Sequence, residues 1–72
     1  MGKEAAAMTR IIKRIPKRTD EEIRVSTIEY RGMRAVDVRL FYKLKNEFLP
    51  TRKGFILKKE LVKELIAALR QV

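Results

Sequence analysis

Apolar and polar residues alternate along two segments in the middle of the chain, residues 23–30 and residues 34–45. Toward the end of the second segment both faces carry apolar residues, which suggests a bend. A third segment with apolar residues, 51–57, follows Pro50. A period of two residues is typical of β-strands that turn one face toward a core. Proline is tolerated at the start of a strand or on an edge strand. The pattern therefore predicts three strands over these segments.

Short polar links join the predicted strands. Arg31-Gly32 predicts a tight turn because glycine accepts the positive φ that two-residue hairpin turns require. Lys45-Asn46-Glu47 predicts the next turn. Gly54, inside the last segment, indicates a bulge or a close approach by another backbone or a ligand. Links this short predict antiparallel pairing of consecutive strands.

The spacing changes to that of a helix over residues 58–72. Its apolar residues form two adjacent rows, Leu61, Val62, Leu65, Ile66, Ala68, Leu69 and Val72. No Ser, Thr, Asp or Asn stands at the start of this segment, so packing has to stabilise the helix. The predicted fold class is α+β, with a curved antiparallel sheet of three to four strands followed by one C-terminal amphipathic helix.

The apolar stripe of this helix is wider than one contact with a sheet requires. A surplus row left in water would be an exposed apolar patch, which an isologous contact between two copies removes. We therefore expect a homodimer through the helices, with Leu65, Ile66 and Leu69 near the two-fold axis. The alternative is a strongly curved sheet that wraps both rows within one chain.

The N-terminal segment is strongly basic. Residues 1–19 contain only one acidic residue, and Pro16 excludes a continuous helix through this part. Asp20, Glu21 and Glu22 separate the segment from the first predicted strand. We expect a disordered basic arm over 1–19 and one domain over 20–72.

Composition excludes most catalytic chemistry. The chain has no Cys and no His, so the usual nucleophile–base pairs and the commonest zinc ligands are absent. The carboxylates Glu29, Asp37 and Glu47 are expected to offset neighbouring cations, with Asp37 orienting Arg39 or the cross-strand neighbour of Arg39. We expect no enzyme activity, no catalytic residues, no metal and no cofactor. No apolar run approaches the ~20 residues of a membrane span, so we expect a cytoplasmic protein, associated with the nucleoid if prokaryotic.

The charge pattern indicates a polyanionic partner. Eighteen Lys and Arg residues face nine Asp and Glu residues, a formal net charge of +9. Basic residues are interleaved with aromatic ones in the predicted strands. In proteins that bind single strands, Lys and Arg contact the phosphates while aromatic rings stack on the unpaired bases. The candidate nucleic-acid-binding residues are Arg24, Tyr30, Arg31, Arg39, Tyr42, Lys43, Lys45, Arg52 and Lys53. Phe41 and Phe55 fit either this surface or a core.

Three functions remain open on these grounds. The first is binding of single-stranded DNA without sequence preference, since no helix-turn-helix pattern is present to enter a major groove. The second is binding of single-stranded RNA, because a stacking surface need not reject a 2′-hydroxyl. The third is a protein-interaction dimer whose charge only maintains solubility.

Two motifs carry a family resemblance. YRGMRAVDVRLFY at 30–42 and PTRKGFIL at 50–57, followed by the amphipathic helix, resemble the C-terminal domain of the positive cofactor four family of transcriptional coactivators. The resemblance covers roughly residues 23–72 and is closest to a small prokaryotic or viral member.

This resemblance implies a dimer that binds melted or single-stranded DNA along curved sheets and works with transcription proteins, or in replication or repair. It implies stacking on Tyr30 and Tyr42, a phosphate or base contact by Arg39, and backbone contacts by Arg52 and Lys53. Two departures are the acidic stretch 20–22, where members tend to be basic, and Tyr42, where a tryptophan is common.

Overall fold

The structure, a computed structural model, describes residues 8–72; the side chains of Met8 and Tyr30 lie outside this description. Four strands come first in the described chain: β1 (Met8–Arg18), β2 (Glu21–Tyr30), β3 (Met33–Leu44) and β4 (Glu47–Lys58). A 3-10 turn (Lys59–Leu61) leads into α1 (Val62–Leu69). The predicted α+β class is confirmed, with a single C-terminal helix in the described part of the chain.

The strands form one open antiparallel sheet in the order β1-β2-β3-β4. The two predicted turns are present, and each has two consecutive residues at positive φ: Arg31 and Gly32 between β2 and β3, and Lys45 and Asn46 between β3 and β4. Positive φ at both central residues is the type I′ geometry, whose twist matches that of the flanking strands. Tight turns therefore fix the register of the hairpins.

The prediction of a disordered arm over 1–19 is wrong for residues 8–18. These residues form strand β1, which pairs with β2. The first seven residues of that arm lie outside the described residues. The acidic stretch that we interpreted as a boundary in fact contacts the basic segment: Glu21 forms ion pairs with Lys17 at 3.1 Å and with Arg18 at 3.6 Å. Pro16 is compatible with this strand because β1 is an edge strand.

The register assigns the side chains of the sheet to two faces, since paired residues in an antiparallel sheet share a face. Arg14, Arg24 and Arg39 lie on one face, which we call the arginine face. Ile23, Val25, Val38, Leu40 and Phe55 lie on the other face, which we call the aliphatic face.

Strand β4 changes register in its middle. Arg39 pairs with Gly54, whereas Phe41 pairs with Pro50, so residues 51–53 bulge out opposite Leu40. Gly54 has φ +157°, and a Cβ there would collide with the carbonyl oxygen of Val38 and the Cα of Arg39. The predicted bulge and close backbone approach are both confirmed at this glycine.

The helix lies near the sheet without closing a core. The 3-10 turn contacts β3, whereas α1 makes few contacts with the described strands. Helix α1 is shorter than the predicted 58–72; the 3-10 turn over Lys59–Leu61 precedes it, and no side chain caps the start of either. No described helix is long and apolar enough to cross a membrane.

Burial is unusual for a domain of this size. Among the residues whose burial is described, no apolar side chain is fully buried; the two buried residues are Glu22 and Ser26. Leu61, Ile66 and Leu69 of the helical segment are exposed, as is Phe55 on the aliphatic face. The hydrogen-bonded sheet, rather than a closed apolar interior, therefore holds the single chain together.

Candidate nucleic-acid interface

Three arginines form a row across the sheet. Arg14 of β1 pairs with Arg24 of β2, which pairs with Arg39 of β3. The next position in β4 is Gly54, which has no side chain. The row thus runs perpendicular to the strands on the arginine face and ends beside the bulge of β4.

A buried glutamate joins two of these arginines. Glu22 is only 5% exposed, and its Oε2 accepts hydrogen bonds from Nε of Arg14 at 2.9 Å and Nε of Arg24 at 2.5 Å. Both of these bonds come from Nε, and the terminal amino groups of Arg14 and Arg24 have no hydrogen-bond partner among the described residues. Both guanidinium groups thus meet at one oxygen atom and keep donors available for a ligand.

The contacts with these arginines also set the charge of Glu22. Burial by itself raises the pKa of the Glu22 carboxyl, but the hydrogen bonds and positive charges of Arg14 and Arg24 outweigh it and hold the pKa below the ordinary value of 4.5. The carboxylate is therefore ionised at neutral pH.

The third arginine is held by a second carboxylate and by the bulge. Arg39 forms an ion pair with Asp37 at 3.0 Å, as predicted, and donates from Nη1 to the carbonyl oxygen of Thr51 at 3.1 Å. The Thr51 hydroxyl donates to the carbonyl oxygen of Leu40 at 2.7 Å and accepts from the backbone N–H of Lys53 at 3.0 Å. The bulge and the arginine row are therefore one hydrogen-bonded unit.

Two phenylalanines lie among these cations. The guanidinium carbon of Arg24 lies 4.1 Å from the centroid of the Phe41 ring. Around Phe48 the charged groups of Arg14, Arg24 and Lys43 lie 5.7, 5.9 and 5.9 Å from the ring centroid. These are cation–π distances, so the rings fix the cations in place while offering flat surfaces between them.

The structure separates the sequence-predicted site residues into groups. Arg24, Arg39 and Lys43 come together on the arginine face, whereas Tyr42 pairs with Glu21 on the aliphatic face. Arg52 and Lys53 lie in the bulge, and Lys53 also borders a shallow trough on the aliphatic side with Leu40 and Phe55.

The remaining predicted residues lie at the ends of the hairpins. Arg31 and Lys45 occupy turns at opposite ends of β3. Tyr30 ends β2, where its backbone pairs with Met33, and its side chain lies outside the described structure. Neither of these turn residues belongs to the arginine row.

Sequence reasoning missed Arg14, Glu22 and Phe48. Arg14 fell in the segment predicted to be disordered, and Glu22 fell in the stretch interpreted as a spacer. The β-branched residues Ile11, Ile12 and Ile15 were the available signal for a strand at 8–18. In the described chain no cluster of three or more metal-ligating side chains occurs.

Solved structures with this fold include bacterial and phage proteins. A PC4 homologue from Burkholderia pseudomallei, in its tetragonal crystal form, matches with a TM-score of 0.83 and 35% identity over 89% of this chain and 96% of its own. Its orthorhombic form gives 0.83 and 36% over 86% and 85%. The bacteriophage T5 homologue of the eukaryotic coactivator PC4, implicated in recombination-dependent DNA replication, matches in fold with a TM-score of 0.71 and 24% identity over 88% and 74%.

An open antiparallel sheet with one C-terminal helix is the architecture these proteins share with this chain. The sequence profile of the family described as Transcriptional Coactivator p15 (PC4) matches residues 17–68. The chain therefore belongs to the PC4 family, which comprises DNA-binding transcriptional coactivators rather than enzymes. No curated protein sequence matches the chain.

Proposed function

We propose that this protein binds single-stranded DNA without sequence preference, and that the arginine face is the binding surface. The observation that carries the proposal is the row of Arg14, Arg24 and Arg39 next to the rings of Phe41 and Phe48. Cations that follow phosphates and rings that stack on bases are the two requirements for holding a single strand.

The geometry favours single strands over duplex. The rings lie on the sheet among the cations, so a base has to leave its stack to reach them, and duplex DNA keeps base faces covered. The described part of the chain has one α-helix, and a helix-turn-helix needs two. The arginines would contact phosphates, with Arg52 and Lys53 of the bulge extending the path beyond β3.

We also propose that the working form is a homodimer through the helices. The absence of a buried apolar side chain in the described chain supports this, because small domains without a core need disulfides, a metal or a partner subunit, and this chain has no Cys and no His. Leu65, Ile66 and Leu69 remain the proposed contact residues; the last two are exposed in the single chain. A second copy would cover them.

The proposed role is that of a transcriptional coactivator-like protein in the cytoplasm, with transcription proteins as further partners. The phage relative's link to DNA replication makes replication or repair a second setting for the same binding activity. Binding of single-stranded RNA would use the same surface, and it is separated from DNA binding by experiment.

Fluorescence anisotropy with an oligo-dT of about 20 nucleotides, its duplex and an oligo-U of equal length tests the proposal. We expect the single-stranded DNA to bind most tightly, with log affinity falling against log salt by about 0.7 for each phosphate contact. Equal affinity for duplex would contradict the proposal. Tighter binding of oligo-U would assign the surface to RNA, and no binding at any salt would leave the protein-interaction dimer.

A further inference from the structure

We propose that Glu22 is a positioning residue that assembles Arg14 and Arg24 into a single phosphate-binding fork. This inference rests on the proposed function, because it concerns how the arginine face receives a nucleic-acid backbone. Its basis is the shared contact at Oε2 of Glu22, the burial of that carboxylate, and the exposure of the arginines around it.

The three side chains of the fork differ in solvent exposure, so the fork opens toward solvent on the arginine side. The Glu22 side chain is almost inaccessible, at 7%, whereas that of Arg24 is 17% and that of Arg14 is 52% exposed. Solvent thus reaches the arginines but not the acid that links them. A carboxylate in this position supports the cations from below and does not occupy the place where a ligand would bind.

The contacts use only one donor of each guanidinium group. Because Nε of Arg14 and Nε of Arg24 are bound to Glu22, their terminal amino groups are left for a ligand. These amino groups form the edge of arginine that binds phosphate oxygens in a bidentate manner. Phe41, which stacks with the guanidinium of Arg24, fixes the plane of that edge.

Without the carboxylate, two guanidinium groups at this separation repel each other. Arg14 lies on the edge strand and is half exposed, so it would turn into solvent. Binding a phosphate would then have to order that long side chain again, at a cost in affinity. Glu22 therefore strengthens binding although it carries the charge of the ligand.

The sign of this effect separates positioning from simple charge. We compare Glu22→Gln with Glu47→Gln, which makes the same change of charge at an exposed position on the aliphatic face. Oligo-dT affinity is measured at about 0.3 M NaCl, where long-range charge effects are screened. We expect Glu22→Gln to bind about three- to tenfold more weakly than the wild type, and Glu47→Gln to bind equally or more tightly.

A double-mutant cycle with Arg14→Ala excludes a general loss of structure. If Glu22 acts through Arg14, the loss from Glu22→Gln shrinks in the Arg14→Ala background; if it only stabilises the fold, the loss stays the same in both backgrounds. Equal losses, or an affinity of Glu22→Gln at or above wild type, would overturn the inference.

Two further results complete the test. Should Glu22→Gln fail to fold, Arg14→Lys serves instead, because it keeps the charge on an exposed edge strand but has no planar fork. Wild-type affinity in Arg14→Lys would then overturn the inference. A wild-type protein that does not bind oligo-dT would remove the proposed function and this inference together, whereas a binding wild type with an unaffected Glu22→Gln removes the inference alone.

Discussion

The guanidinium group of Arg24 lies over the ring of Phe41, with its central carbon 4.1 Å from the ring centroid. The two residues are on neighbouring strands and on the same face of the sheet. The stacked pair presents a flat cation and a flat ring together, which are the two kinds of surface on which unpaired bases stack. The pair is the centre of the proposed interface.

Phe41 and its neighbour Tyr42 give the sharpest test of which face binds. They are consecutive in β3 and therefore point to opposite faces. We expect Phe41→Leu to weaken oligo-dT binding by about 1–3 kcal/mol, because leucine keeps apolar bulk but has no ring to stack on. We expect Tyr42→Leu to have a smaller effect, measured by the same anisotropy titration. The reverse order would support the stacking role that the family resemblance implies for Tyr42.

Of the two glycines that the structure describes, Gly54 is predicted to tolerate substitution less well. A Cβ at this position meets backbone atoms of Val38 and Arg39, which cannot move without breaking the ladder. We expect Gly54→Ala to lower the free energy of unfolding by roughly 3–5 kcal/mol, from strain and overpacking together. Gly32→Ala has positive φ but open space around it, and about 1–2 kcal/mol is expected.

Urea denaturation of both glycine variants, followed by circular dichroism at one protein concentration, measures the difference. Equal unfolding free energies for the two variants would show that the close approach at Gly54 relaxes at little cost.

The proposed dimer is tested at the helix. Leu69 is 59% exposed in the single chain, so a charge there is harmless to a monomer but disrupts an apolar interface. Wild-type protein is expected to sediment at twice the 8.5 kDa chain mass, and Leu69→Glu to dissociate or unfold. Gln71→Glu makes the same change of charge next to the helix and should remain dimeric. A wild type that sediments as a monomer at micromolar concentration would end the dimer proposal.

Acid pH should destabilise the fold partly through Glu22. Its pKa is lower in the folded protein than its ordinary value of 4.5, because the arginine contacts outweigh the effect of burial. Its contribution is therefore complete above that value and is lost as pH falls through the lower, folded-state pKa. Comparing wild type with Glu22→Gln by thermal unfolding from pH 7 to 3 isolates the contribution of the ionised Glu22 carboxylate to stability. The stability difference between them should shrink below pH 4.5, and a constant difference would mean that Glu22 is not ionised in its contacts.

Much of the sheet could be predicted from sequence because β2, β3 and β4 are joined by tight turns with clear residue preferences. Arg31-Gly32 and the bulge at Gly54 are local features, and their chemistry is visible in a few residues. Strand β1 was missed because the contacts that stabilise it are not local in sequence pattern. Its cations bind Glu21 and Glu22 only after the chain has turned back and β1 has paired with β2.

The composition of the interface was harder to predict than the fold. Alternation within β3 already assigns Arg39 and Tyr42 to opposite faces, but it cannot say which residues of other strands join each face. That depends on register, and the irregular pairing near Ile12 and in the bulge at 51–53 shifts it. Arg14 and Phe48 reach the site only through this long-range pairing.

Strand β1 also affects how copies of the sheet can associate. It is an exposed edge, yet its register is interrupted twice, it carries Pro16 without an amide proton, and five of its eleven residues are cationic. Each of these features disfavours the addition of another strand. Although the single chain buries so little apolar surface, fibril-like growth by adding strands to this edge of the sheet is therefore disfavoured.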